Sequence, residues 1–191
     1  MSTINGRACV ANGTPVDKVF SDGRQVYGRN LLPGTNQGLT NWTFGGGSGG
    51  QYVRYAFDVP NGQGMTVRTT VAYTNYFWIG YKLNYTVLKQ NTDYVLSFWA
   101  KSNAIDRALS AHFANGSASK SSANFGTVGL KAGVATKVVL RATTNDVDFS
   151  DQYLYLNPFD MLGGIDIWDL QLIEGISALD DWTPAPEDIL N

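Results

Sequence analysis

Among the residue types able to do chemistry in this chain, aromatic rings stand out from the rest, because several of them sit on the polar side of alternating segments. Tyr76 and Trp78 lie opposite the Phe77/Ile79/Tyr81 set, Trp99 opposite Tyr94/Leu96/Phe98, and Tyr155 with Tyr153 opposite Leu154/Leu156. His112 lies opposite Leu109/Ala111/Phe113, and Gly80 leaves room for a close approach to the backbone beside Trp78. Trp42 precedes a glycine-rich stretch, Gly45 to Gly50, that suits an adaptable rim. Flat rings of this kind stack on the apolar C–H faces of sugar rings at small entropic cost, while neighbouring polar groups take the hydroxyls. The candidate carbohydrate-contacting residues are therefore Trp42, Tyr76, Trp78, Trp99, His112 and Tyr155, with Trp78 and Trp99 central. The competing use of the same rings is burial under a loop or against a neighbouring chain, and Trp168 and Trp182 are assigned to structure.

Catalysis has few candidates. His112 is the single histidine and Cys9 the single cysteine, and the chain has no Gly-x-Ser-x-Gly elbow, so a nucleophilic triad is not expected. Glycoside hydrolysis requires two facing carboxylates, one with a raised pKa. Glu174 and Glu187 are the only glutamates among 16 acidic residues, and both fall near the end of the chain. Asp146, Asp148 and Asp151 form an oxygen-rich stretch without the glycine and terminal glutamate of a calcium loop, and they read as a solvated turn. No enzyme, metal or cofactor is expected.

The elements that must position these rings are strands. Glycine at 21 residues, ten tyrosines, nine phenylalanines, five tryptophans and 16% charged residues describe short strands joined by tight turns. Apolar residues recur at period two in Val53/Tyr55/Phe57/Val59, Met65/Val67/Val71, Phe77/Ile79/Tyr81/Leu83, Tyr94/Leu96/Phe98, Leu109/Ala111/Phe113, Val138/Leu140, Leu154/Leu156 and Ile165/Ile167/Leu172. Turn-forming residues separate them at 45–50, 60–64, 115–124 and 143–151. Ser177 to Asp181 is the one candidate for a turn of helix. The fold class is all-β, an antiparallel two-sheet jelly-roll sandwich with a short N-terminal hairpin arm. Its core is expected to hold Phe57, Val67, Phe77, Ile79, Leu96, Phe98, Phe113, Leu140, Leu156 and Ile167.

Residues 1–28 read as two hairpin pieces, turning at Asn12-Gly13 and at Ser21-Asp22-Gly23, with too few apolar residues for a core of their own. They are expected to be an arm that docks the module on another chain or another copy, and residues 29–191 the module itself. A net charge of -2 carries no footprint for nucleic acid. No run reaches about 18 apolar residues, so neither a membrane span nor an apolar secretion signal is expected, and synthesis is placed in the cytoplasm.

Three stretches stand apart: Asn30-Leu31-Leu32-Pro33-Gly34-Thr35, the run from Asn91 to Ser102, and the segment from Gly164 to Asp188 with its ending Asp181-Trp182-Thr183-Pro184-Ala185-Pro186-Glu187-Asp188. They resemble the jelly-roll carbohydrate-binding modules with a galactose-binding-like fold that occur in tail and baseplate proteins of phages of Gram-positive bacteria. Ile4-Asn5-Gly6, Val16 to Val19 and Asp22 to Tyr27 are similar to the leader that precedes such modules. The resemblance implies a non-catalytic module in the virion that attaches to host cell-wall or surface polysaccharide, with other virion proteins or further copies as partners. It also implies, through related modules, a structural calcium that would fall at Asp169. The rival expectation is a tail, collar or baseplate decoration protein whose aromatics are buried against neighbours. In tail proteins this ending usually leads into further sequence, so the chain is either a small accessory protein or a piece of a longer one.

Overall fold

The computed structural model describes residues 10–11, 14–46, 52–69, 77–84, 86, 88–116, 121–146, 151–160 and 162–188. Two small hairpins come first. Val10–Ala11 (β1) pairs with Thr14–Pro15 (β2), the intervening Asn12-Gly13 lying outside the described residues. Lys18–Ser21 (β3) pairs with Arg24–Gly28 (β4) across Asp22 (φ 50°) and Gly23 (φ 76°). Positive φ at both central positions matches the twist of the flanking strands, which is why Asp-Gly marks this turn.

Ten strands follow: β5 (Trp42–Gly46), β6 (Tyr52–Val59), β7 (Gly62–Thr69), β8 (Phe77–Lys82), β9 (Asp93–Ser102), β10 (Arg107–Asn115), β11 (Ser121–Leu130), β12 (Ala135–Thr143), β13 (Gln152–Pro158) and β14 (Ile165–Glu174). They form two five-stranded antiparallel sheets, a front sheet ordered β11-β10-β13-β8-β5 and a back sheet ordered β12-β9-β14-β7-β6. This is the jelly-roll sandwich that the period-two pattern predicts. The inward sides of the front sheet contribute Phe77, Ile79, Leu109, Phe113, Leu154 and Leu156, and those of the back sheet Val67, Leu96, Phe98, Ile165, Ile167 and Leu172, all 2% exposed or less. Leu140 packs against this core while keeping some exposure.

Strand β6 is inverted relative to the reading of its sequence. Tyr55 pairs with Thr66 and Phe57 with Gly64, on the outer side, whereas Ala56 pairs with Met65 and Arg54 with Val67, on the inner side. Phe57 is therefore not in the core; it lies half-buried outside, edge-on to Trp168. The strand is the free edge of the back sheet, where an inward-pointing charge still reaches water. Tyr52 supplies the inward apolar contact, edge-on to Phe77 at 5.3 Å, and the Arg54 guanidinium lies 5.0 Å above the Phe44 ring. Ser177 to Asp181 forms no helix; a short 3₁₀ turn sits further on, at Pro186–Asp188.

The β3–β4 hairpin rests on the back sheet. Tyr27 is fully buried, and the α-carbon of Gly28 approaches Ile173 so closely that a Cβ there would stand 3.3 Å from its Cγ2. Glu174 at the end of β14 is gripped by Lys18 at 3.0 Å and Lys89 at 2.7 Å. Burial by itself would raise the Glu174 carboxyl, but bonding to the two ammonium groups outweighs it and holds the group below its ordinary value of 4.5.

Two outcomes follow from this packing. Ile79→Ala is expected to lose about 2–5 kcal/mol in urea denaturation, as for other buried aliphatic truncations, whereas Val53→Thr on the outer side of β6 stays within about 0.5 kcal/mol. Equal losses would contradict the inverted face. Because the folded-state pKa of Glu174 is depressed, its contribution is complete above 4.5 and disappears as pH falls through the lowered folded value. Amide signals of Val19 and Tyr27, followed by NMR on acidification, should report loosening of the hairpin there, and Glu174→Gln should remove that dependence.

Candidate functional site

Register across the front sheet decides which rings meet. Tyr155 pairs with Gly80 on one side and with His112 on the other, and Gly80 pairs with Thr43, so Thr43, Gly80, Tyr155 and His112 form one outward row. Trp78 opposes Gly45 in the adjacent row. Its indole lies over that glycine, where a Cβ would come within 2.4 Å of Cζ2, so only glycine admits the ring in this pose. Trp78 meets Tyr155 edge-on at 5.5 Å, His112 lies 5.6 Å from Tyr155, and Tyr153 stacks on Tyr155 at 5.6 Å with Lys82 5.5 Å above its ring. The result is an aromatic cluster of four rings, reaching solvent through the half-buried Trp78, Tyr153 and His112.

Individual candidates fare differently. Tyr155 is 4% exposed, so it supports the others and offers solvent little surface. The space above Gly80 is taken by Thr43, Tyr155 and Trp78, whose atoms lie 3.0, 3.1 and 3.2 Å from where a Cβ would sit; the glycine makes room for its neighbours and not for a ligand. Trp42 points inward, is 7% exposed and packs edge-on to Tyr81 at 5.2 Å, so it belongs to the core. Tyr76 lies outside the described residues. Tyr153 is the ring that the set of candidates omitted, although its position two residues from Tyr155 already placed it on the same face.

Trp99 is on the opposite side of the molecule from Trp78, on the outer face of the back sheet. There it stacks on Trp168 at 6.0 Å with planes 8° apart, and Phe57 stands edge-on to Trp168 at 6.1 Å. Trp78 and Trp99 cannot contact one sugar ring together. Trp182 holds the closing segment down by donating its indole N–H to the carbonyl of Leu170 at 3.1 Å. Asp169 carries one hydrogen bond from Asn61 at 3.0 Å, and among the described residues no cluster of three or more metal-ligating side chains is present.

Burial lowers the His112 pKa from 6.5, so the imidazole is neutral at pH 7 and offers one donor and one acceptor to a hydroxyl. A depressed folded value means that the unfolded chain binds the proton more readily. Stability is complete above 6.5 and falls as pH drops through the lower folded value. An NMR titration of the single imidazole should give a midpoint below 6.5; a midpoint at or above it would contradict this packing.

No family model matches the chain, and no curated protein does. Its similarity is to solved structures. The enzymatically active domain of tailspike protein 4 from bacteriophage CBA120 has a TM-score of 0.55 at 17% identity, over 76% of this chain and 21% of that one. This chain thus spans about a fifth of the length of that domain. The C-terminal family 22 carbohydrate-binding module of Clostridium thermocellum Xyn10B gives 0.54 at 15%, covering 81% and 96%. The family 11 module of the cellulosomal cellulase Lic26A-Cel5E from the same organism gives 0.53 at 14%, covering 79% and 97%. At these identities the likeness establishes the fold, and the two modules share it over nearly their whole length.

Proposed function

We propose that the protein is a non-catalytic carbohydrate-binding module of a bacteriophage tail or adhesion device, attaching the particle to cell-wall or surface polysaccharide of its host. The observation that carries the reading is the front-sheet cluster of Trp78, Tyr153 and His112 around Tyr155, on a sandwich of the kind used by carbohydrate-binding modules. Trp78 provides the stacking surface, while His112 and Lys82 supply polar contacts to hydroxyls. The phage assignment draws on the tailspike likeness together with the Trp-Thr-Pro-Ala-Pro-Glu-Asp ending and the leader. A single shallow aromatic face binds weakly, and copies on one particle would provide avidity.

Binding without hydrolysis agrees with the state of the two glutamates. Glu174 is held by two lysines and has a lowered pKa, the opposite of what a general acid needs, and Glu187 is paired with Arg29. A second reading, docking within the virion, is favoured by one specific observation: Phe20 and Val26 of the β3–β4 hairpin are 59% and 43% exposed. An arm that presents apolar side chains in this way suits attachment to another chain or another copy, and it is compatible with glycan binding at the front sheet.

Calorimetric titration with polysaccharide from host cell walls tests the reading. Trp78→Ala should weaken binding by about 1–3 kcal/mol, the scale of a stacking platform, and Tyr153→Ala by less. Circular dichroism should show the sandwich retained in both variants. Unchanged affinity in a folded Trp78→Ala protein would exclude the front sheet as the site.

A further inference from the structure

The back sheet carries a feature that the front-sheet reading does not use. Between Trp168 and Gln171 the pairing of β14 with β9 slips: Trp168 faces Trp99 while Gln171 faces Ser97, so β14 holds one residue more than its partner over this stretch. Asp169 takes up the excess at φ 51°, a conformation tolerated by Asp and Asn better than by most residues. Beside the bulge the closing segment crosses the sheet, and a cavity of about 210 Å³ remains between them. Trp99, Trp182, Lys137, Asn61, Asp169 and Gln171 line it.

Its polar groups are arranged for a ligand with hydroxyls. Gln171 is 2% exposed; its Oε1 accepts from the Thr183 amide at 3.4 Å, but its Nε2 has no hydrogen-bond partner. A buried donor without a partner is destabilising, so a small shift of the side chain that brings it to a ligand oxygen is favoured. Asn61 donates to Oδ2 of Asp169, which leaves the other carboxylate oxygen as an acceptor. Lys137 donates to the carbonyls of Leu179 at 3.4 Å and Asp180 at 2.5 Å, and its charge acts on Asp169; Asp180 and Asp181 also line the cavity, the Asp180 carboxylate being paired with Arg24 at 2.6 Å. The surplus of carboxylates disfavours an anion, and two indoles on the walls favour an apolar ring face. The volume is below the roughly 300–1,000 Å³ of sites for larger ligands, which suits one ring and not a chain.

We infer that this cavity is a second binding site, separate from the front sheet, that takes one neutral sugar ring between Trp99 and Trp182, with Gln171 and Asp169 holding its hydroxyls. Only the choice of ligand class rests on the glycan-binding reading; the cavity and its unpartnered donor stand apart from it. Glucose, galactose, mannose and N-acetylglucosamine, with glucuronate and calcium chloride as controls, are to be titrated into the full chain. The tryptophan indole N–H signals are followed by NMR. At least one neutral sugar should shift the Trp99 and Trp182 signals saturably, in the Trp78→Ala protein as in the unaltered one, while glucuronate does not. Asp169→Asn keeps the positive-φ position filled by a tolerant residue, and Gln171→Leu removes the buried donor. Each should weaken this binding about tenfold, the equivalent of one good hydrogen bond, with circular dichroism unchanged. Absence of any saturable shift, a shift at Trp78 alone, an equal response in both folded cavity variants, or a response to calcium and not to sugar would overturn the inference. Failure of the front-sheet reading alone would appear as loss of polysaccharide binding at Trp78 with the cavity response intact.

Discussion

The carbonyl of Leu170 is the point on which the two ends of the module converge. The bulge in β14 takes this group out of the regular ladder, and a buried carbonyl left without donors would be costly. Three donors reach it instead: Asn30 Nδ2 at 3.3 Å, Thr35 Oγ1 at 2.8 Å and Trp182 Nε1 at 3.1 Å. The first two come from the stretch that opens the module and the third from the segment that closes it. Asn30 adds a second tie, since its Oδ1 accepts from the amides of Leu32 and Leu172 at 3.1 Å. The opening and closing motifs are thus legible as one structural device, in which a polar anchor at each end satisfies a break in the central strand of the back sheet.

That device also explains why the two outer faces differ in character. The back sheet is crossed by the closing segment and by the β3–β4 hairpin, with Val95, Ile173 and Leu179 forming a small apolar cluster beneath them. Thr183 bonds to the carbonyl of Gly28 at 3.2 Å, joining the two coverings to each other. The front sheet has no such covering segment among the described residues, and its outward row is closed by its own rings. Trp78 lies across Gly45, Tyr155 fills the space over Gly80, and the remaining aromatic surface faces water. A ring left at such a surface is either a binding element or a contact for another chain, and the polar neighbours His112 and Lys82 suit the former.

Positions of positive φ follow the same division of labour. Asp22 and Gly23 make a hairpin turn, whereas Asp169 uses the same backbone region at the bulge of β14 and lines the cavity there. Burial raises the Asp169 pKa, opposed by its bond from Asn61 and the charge of Lys137. A carboxylate held in this way exchanges its partial desolvation for ligand contacts more readily than a fully solvated one.

Most of the architecture could be read from the chain alone. Alternation at period two specifies strands and, where a strand is central, the side it buries, as in β8, β9, β10, β13 and most of β14. Asp-Gly specifies its turn through φ. The outward positions of Trp78, Trp99, His112 and Tyr155 were legible for the same reason, since burial of one side of a strand leaves the other side facing out. Alternation says nothing about which sheet a strand joins. Tertiary pairing alone separated Trp78 from Trp99 by the thickness of the sandwich, brought Tyr153 to Trp78's cluster and turned Trp42 into the core. It also decided β6, where the apolar alternation of Val53, Tyr55, Phe57 and Val59 points outward. At a free edge either side can reach water, so the register set by the turn into β7 outweighs the pattern of hydrophobicity.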